Sequence, residues 1–578
     1  MPRISILCCL CLITTIDSVT AADRSASSLF PETTVFYAEI TNPPDLISTI
    51  FDHPLREKIE SLEPYKMATK TQGYRAFLTG RKFVEIQLGM EWREAIETLT
   101  ARGIYLGVDA ATQGVALLIN SKDAESLDLF RSKLLELSKL GKNPEQIKEG
   151  EYRGITAYEV NKSRFVVVDD WLLIANNGEL GKVLLDRFLD GADTSLADNR
   201  NFQAARKLRG PDATAWAFAD IATLRDAGVA PQLYSGQSVN PGVELLVGGF
   251  LSTLQKSLYA SVELNASHQS VGLEFSMPHK PEWVPEERTF YFGPGGTGRG
   301  PELPRTKDTL FTLSTYRDFS EMWLRAGDLF DENINDGFAQ ADANLTTFFS
   351  GKDFGEDILG SLTPEIGFVA SRQDFTNILP VPTIKLPQFA LVVQLKDPEK
   401  MTRELRRTFQ SMIGFLNVVG AMEGRSQLEM DMDKLDNGAE LITTAYIPDE
   451  DDANSTRAEI LYNFSPSVGF FGERFVVSST HRLARELVQA DIAADDPGST
   501  NTHAQLQGGV LKQVLNDNRG QLVSQNMLSD GNSREEAEAV IDLLLEVVGY
   551  FQNASANIDV TSDRLGIELG LRVKADEK

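Results

Sequence analysis

The chain has 578 residues, a formal net charge of −27 and three cysteines, Cys8, Cys9 and Cys11. So acidic a surface, with no local basic patch, argues against nucleic acid and anionic lipid as partners. With no cysteine after Cys11, disulfides, thiolate metal sites and a cysteine nucleophile are excluded from the rest of the chain.

The first residues predict a signal peptide over 1–21. Arg3 precedes an apolar run from Ile4 to Ile16, and Val19 and Ala21 occupy the −3 and −1 positions of a cleavage site. Asp17 ends that run before the ~20 apolar residues a membrane anchor needs. The cysteines lie inside the run rather than after it, which disfavours a lipoprotein. No later stretch is long and apolar enough to span a bilayer. The expected product is exported to the periplasm or beyond, with no transmembrane helix in the mature chain.

In chain order, Thr34–Ile40 reads as a buried strand. Leu46, Ile47, Ile50 and Phe51 then follow helical spacing, with Asp45 the expected N-cap and His53-Pro54 the stop. Leu55–Leu62 and Trp92–Leu99 are further helical stretches. Gly103–Val108 and Gly114–Asn120 are strands, and a helix opens at Ser121–Glu125. Tyr152–Val160, Arg164–Val168 and Trp171–Ala175 form a meander whose last turn is Asp169-Asp170. Helix Leu180–Phe188, strand Trp216–Ile221, a glycine-broken helix Val243–Leu258 and the strand pair Ala260–Asn265 and Val271–Ser276 follow.

Near the midpoint come a strand-like aromatic run, Phe290-Tyr291-Phe292, and five glycines between Gly293 and Gly300. Prolines on both sides forbid regular structure there. Beyond it the order of elements repeats. Thr309–Leu313 and the helix after it match Thr34–Ile40, and Gln388–Leu395 matches Gly114–Asn120. Val35 to Leu310 is an offset of 275, and Ala116 to Ala390 one of 274. Phe471–Ser479 resembles Val168–Asn176, and Glu536–Val548 with its terminal hairpin resembles Val243–Leu258 with its own.

The predicted fold is α+β: two tandem, diverged copies of an antiparallel-sheet unit with helices on one face. The lobes span 22–282 and 305–578, joined by a Pro/Gly-rich linker over 283–304. A polar, acidic insertion near 420–457 is expected as a surface loop in the second lobe.

Chemistry is sparse. The glycine run lacks the lysine, the hydroxyl residue and the following helix of a phosphate loop, because Arg299-Gly300-Pro301 comes next. The five histidines, His53, His268, His279, His481 and His503, never pair at i,i+4. No GxSxG elbow supplies a serine nucleophile. Asp169-Asp170 and Asp449–Asp452 read as a turn and a solvated loop.

A weak calcium candidate remains in Asp331, Asn333, Asn335 and Asp342, whose alternating oxygen ligands approach the calcium-loop pattern out of register. The bland reading of that segment is a capped loop. The tryptophans Trp92, Trp171, Trp216, Trp283 and Trp323 are expected in cores. No cofactor is expected.

The blocks Leu29–Ile40, His53-Pro54-Leu55, Trp283–Glu286 with Phe292–Gly296, and Phe348–Phe354 leading to Leu362–Ile366 resemble the domain-of-unknown-function families of long exported proteins from planctomycete-type bacteria. That resemblance implies export and a duplicated α+β architecture, and supplies no activity, ligand or site residue. The sequence therefore predicts a non-enzymatic protein of the cell envelope with a binding or structural role, its partner an envelope protein or a cell-surface polymer. The alternative is a hydrolase of extracellular or envelope polymers, working in a cleft between the lobes.

Overall fold

A computed structural model describes residues 25–574 apart from 62, 140–146, 161–162, 232–239, 305, 350, 377, 449, 451–452 and 491–499. The expected signal peptide and most of Asp449–Asp452 lie outside the described residues.

Among the described residues, twenty strands form one sheet, and every strand pairing in it is antiparallel. The first ten are β1 (Thr34–Ile40), β2 (Gly103–Asp109), β3 (Gly114–Asn120), β4 (Lys148–Tyr152), β5 (Ile155–Val160), β6 (Ser163–Val168), β7 (Trp171–Ala175), β8 (Ala215–Ala219), β9 (Ala260–Ala266) and β10 (Ser270–Pro278). The second ten are β11 (Thr309–Tyr316), β12 (Glu365–Ser371), β13 (Gln388–Gln394), β14 (Leu428–Lys434), β15 (Glu440–Tyr446), β16 (Ser467–Phe471), β17 (Arg474–Ser478), β18 (Thr502–Gln507), β19 (Phe551–Val560) and β20 (Arg564–Val573).

Across the sheet the first half runs β4-β5-β6-β7-β3-β2-β1-β8-β9-β10. The second half runs β14-β15-β16-β17-β13-β12-β11-β18-β19-β20. The halves join where β10 pairs with β20, from Ser270 opposite Arg572 to Pro278 opposite Arg564. The free edges are β4 and β14. Their sequences, KEGEY and LEMDMDK, put charges along both exposed rims, which discourages pairing with further strands.

Helices cover both faces of the sheet, not one as expected. Strand β7 shows why. Trp171, Leu173 and Ala175 point into the core beneath helix Gly178–Asp190, while Leu172 packs with Leu127 of helix Ala124–Lys139 on the other side. Inner strands such as β3 and β7 are apolar on both faces, so both faces there must be covered. In the second half, helix His481–Gln489 packs against Val476 and helix Pro398–Met422 lies on the side of Phe475.

Four other expectations change locally. Phe290–Phe292 is a helical turn, Thr289–Phe292, entered from a 3-10 turn at Glu286–Arg288. The expected strand 152–160 is broken, with Tyr152 ending β4 and Ile155–Val160 forming β5, because Arg153 and Gly154 take positive φ and turn the chain. The polar segment 420–457 contains β14 and β15, whose apolar Leu428, Leu441 and Ile442 are buried. The N-cap of helix Pro43–Phe51 is Asn42, whose side chain accepts from the Asp45 amide.

The aromatic trio at the midpoint is buried where the halves meet, while Pro294, Gly295 and Thr297 beside it are exposed. Phe290, Tyr291 and Phe292 share one apolar cluster with Leu254 and Met277 from the first half and Leu329, Phe330, Val560 and Leu565 from the second. Helix Pro241–Lys256 approaches the trio closely, since a Cβ at Gly249 would overlap the rings of Tyr291 and Phe292. One turn earlier Glu244, fully buried, takes two hydrogen bonds from the guanidinium of Arg288 (2.6 and 2.9 Å). Arg317, 2% exposed, lies 3.4 Å from the Tyr291 ring centroid. It donates to the carbonyls of Leu245, Tyr291 and Tyr316 and to Asn501 Oδ1.

Candidate functional site

Between β1 and β2 the chain leaves the sheet to build a helical cap: Pro43–Phe51, Leu55–Ser61, Glu63–Thr69, Gln72–Leu88 and Trp92–Leu99. The helix Gln72–Leu88 is absent from the sequence reading. Its signals are at its ends. The Thr71 side chain accepts from the Tyr74 amide, and Gly89 stops the helix with φ 72°, a hydroxyl start and a left-handed glycine end. Its apolar residues do not trace a buried stripe: Phe77, Phe83 and Ile86 are all exposed.

Under this cap lies a cavity of about 1240 Å³, bounded below by the β9–β10 turn and the end of β20. Ligand sites generally span ~300–1,000 Å³, so this one exceeds the usual range. Its walls carry large apolar side chains that the fold leaves solvated: Ile50 (57% exposed), Ile59, Phe77 (63%), Ile96 and Val271 (46%). Scattered exposed apolar residues are ordinary, but a convergent set marks a binding surface. Trp92, expected in a core, also lines the cavity, with its ring 5.0 Å from Phe51.

The charged groups at the rim hold one another. Arg93 donates to both Asp52 oxygens (2.7 Å each) and to Glu97 (2.7 Å), and that bonding keeps the Asp52 carboxyl below the usual carboxylate range. Arg56 bonds Glu60 at 2.7 Å and the Phe51 carbonyl at 2.9 Å. Arg81 stands 3.3 Å from Glu85. Burial, and next a hydrogen bond with Tyr74, raise the Tyr65 hydroxyl above the ordinary phenol range, so it is neutral at physiological pH. His53 fastens the cap to the sheet: its Nδ1 accepts from the Leu55 amide (3.1 Å), leaving Nε2 to donate to the His268 carbonyl (2.7 Å). The two imidazoles, far apart in sequence, meet at 5.7 Å between centroids.

The other sequence candidates are placed elsewhere. Residues 332–348 are a helix, not the loop expected, with Asp331 as N-cap accepting from Ile334 (3.0 Å). Asn333 lies in its first turn, Asn335 donates to the Phe330 carbonyl (3.0 Å), and Asp342 accepts from Trp323 Nε1 (2.8 Å). At 1.5 Å of rise per residue, Asp331 and Asp342 stand about 16 Å apart along the axis, so the helix does not gather the four. Among the described residues, no three His, Cys, Asp or Glu side chains converge on a metal position.

The glycine run borders a smaller concavity of about 320 Å³, which Asp318 and Glu321 also line. Those carboxylates repel phosphate. His279 is buried against Phe292 with its Nδ1 on Thr253 (3.0 Å). Asp169 adopts φ 50° and, with Asp170, turns β6 into β7.

No protein-family model matches the chain, and no curated protein matches it. Solved structures with detectable likeness include three crystal forms of the treponemal protein TP0453. Form IV gives a TM-score of 0.25 at 10% identity, covering 44% of this chain and 81% of that one. Form III gives 0.24 at 11% (44% and 80%), and form I gives 0.24 at 12% (44% and 79%). A likeness of that strength assigns no family. No helix among the described residues is long and apolar enough to cross a membrane.

Proposed function

We propose that this is an exported, non-enzymatic protein of the cell envelope that binds an apolar small molecule beneath its first helical cap. The observation that carries this reading is the cavity of about 1240 Å³ walled by exposed Ile50, Ile59, Phe77, Ile96 and Val271. A cell-surface polymer would call for polar walls, whereas these walls gain by covering hydrocarbon, at roughly 25 cal/mol per Å² of apolar area removed from water. The three arginines at the rim each face a carboxylate, which favours binding over hydrolysis.

We further propose that the chain is two diverged copies of one unit, which the same strand order on either side of the β10–β20 junction supports. The lobes would be 22–282 and 305–578. The test of function is a titration of the full mature chain with N-phenyl-1-naphthylamine, a neutral apolar fluorophore. Saturable binding to one site, abolished by Val271→Trp, is expected. Absence of saturable binding, or equal binding by a folded Val271→Trp protein, overturns the reading.

A further inference from the structure

The balance of charge at the cavity rim says which kind of apolar molecule fits, an inference that rests on the binding role proposed above. Three arginines line the cavity, and each already faces a carboxylate: Arg56 with Glu60, Arg81 with Glu85, Arg93 with Asp52 and Glu97. Glu91, at the start of helix Trp92–Leu99, adds a further carboxylate to the lining. An anionic head group would have to share its arginine with the carboxylate already facing it, beside the further carboxylate of Glu91. It would also enter the field of a chain carrying −27, which lowers the local concentration of anions. A cationic head would find only carboxylates already bonded to arginine, apart from Glu91.

Neutral hydrogen-bonding groups, by contrast, surround the same mouth. Tyr65 and Tyr74 come from the cap, and Ser267 and Ser270 from the β9–β10 turn, their hydroxyls 3.0 Å apart. Hydroxyls can both donate and accept, so they can match the hydroxyls of a ligand without a change of protonation. Beyond the mouth the apolar surface continues along the sheet. Val271, Leu273 and Leu569 are exposed on one face of β10 and β20, the face that carries Phe275 and Met277 into the buried core further along. A long chain lying against Val271 thus has apolar wall beneath it past the cavity.

We propose that the ligand is a long-chain acyl amphiphile with an uncharged, hydroxyl-bearing head, of the acylglycerol class. Its chain lies between the cap and β10, and its head reaches Tyr65, Tyr74, Ser267 and Ser270. The cap seats on the sheet through the bond from His53 to the His268 carbonyl, at the border of the same cavity.

The experiment is displacement of N-phenyl-1-naphthylamine from the full mature chain at pH 8, with 1-monooleoylglycerol and oleate compared below their aggregation concentrations. The two share one chain and differ in head charge. At least tenfold tighter displacement by 1-monooleoylglycerol is expected, with the preference reduced in Ser267→Ala/Ser270→Ala. Equal or tighter displacement by oleate overturns the neutral-head assignment while leaving the binding role intact. Failure of the dye itself to bind overturns both. Because Val271→Trp could misfold, Ile50→Trp serves as a second cavity-filling variant, each checked by far-UV circular dichroism. Phe415→Ala, at a distant exposed apolar site, controls for adsorption. Loss of dye binding in Phe415→Ala, with retention in both cavity-filling variants, places the dye outside the cavity and refutes the assignment.

Discussion

The chain builds a helical excursion twice in the same topological slot, between the first and second strands of each half, and the two excursions pack in opposite ways. The second sends Met322, Ala326, Leu329 and Phe330 into the core at the junction, and Trp323 sits edge-on to Phe338 and Phe354 at about 5 Å. Among the described residues of its helices, the first buries Pro43, Leu55 and Ala95 alone, and leaves its larger apolar groups around a cavity. A helix pair that fills its own space contributes stability, whereas one that encloses space contributes a site. The contrast lets binding be separated from folding by mutation.

The sharpest break of the comparison is at the junction. Arg288→Met should leave Glu244 buried without its cation and destabilise the protein by about 3–5 kcal/mol, read as a lowered denaturant midpoint. Retention of wild-type stability would mean the pair is not desolvated. Phe330→Ala, on the second excursion, should cost about 3–5 kcal/mol through the cavity it leaves. Its counterpart, Phe77→Ala on the first, should change stability by no more than about 0.5 kcal/mol while weakening dye binding. Equal stability losses would erase the distinction between the two.

Acid should act on the junction too. Burial holds the His279 imidazole below its ordinary value of 6.5. As pH falls through that value, the unfolded chain takes up a proton that the folded chain resists. Stability contributed by neutral His279 is therefore full above about pH 6.5 and declines below it. Melting temperature should drop between pH 7.5 and pH 5, with a shallower slope in His279→Gln; identical slopes would assign the acid sensitivity elsewhere. At the cap, His53→Ala removes both the bond to the His268 carbonyl and the one from the Leu55 amide, about 1 kcal/mol each. It should speed amide exchange in Gln72–Leu88 and leave Phe319–Leu329 unchanged.

Much of the sheet is legible in the residues because strand alternation is local. Gly114–Asn120 and Trp171–Ala175 have the bounds that their apolar runs imply. The uniformly apolar runs of Gly114–Asn120 and Trp171–Ala175 carried a signal for two-sided coverage that the one-face reading missed, but which helix covers which side was not legible in them. Phe290–Phe292 reads as a strand by composition and becomes a helical turn because Pro294 and Gly293, at φ 71°, end it at once. The cavity was illegible for a deeper reason. Its walls come from residues 49–96, from 266–271 and from Val573, and a helix whose apolar residues face open space carries no buried stripe to read. The capping pair Thr71 and Gly89 was the available signal.

The pairing of β10 with β20 has a consequence for how the chain must be made. Strand β10 is complete by residue 278, but its outer partner is among the last segments of the described chain, 564–573. During synthesis the first half therefore has one row of amides and carbonyls open, beside Val271, Leu273 and Phe275, until nearly 300 further residues have emerged. A chain cut short before Arg564 keeps that row open permanently and presents a long apolar edge. Closing the middle of the sheet thus joins segments nearly 300 residues apart, so the two halves of the sheet become continuous only once residues 564–573 are in place.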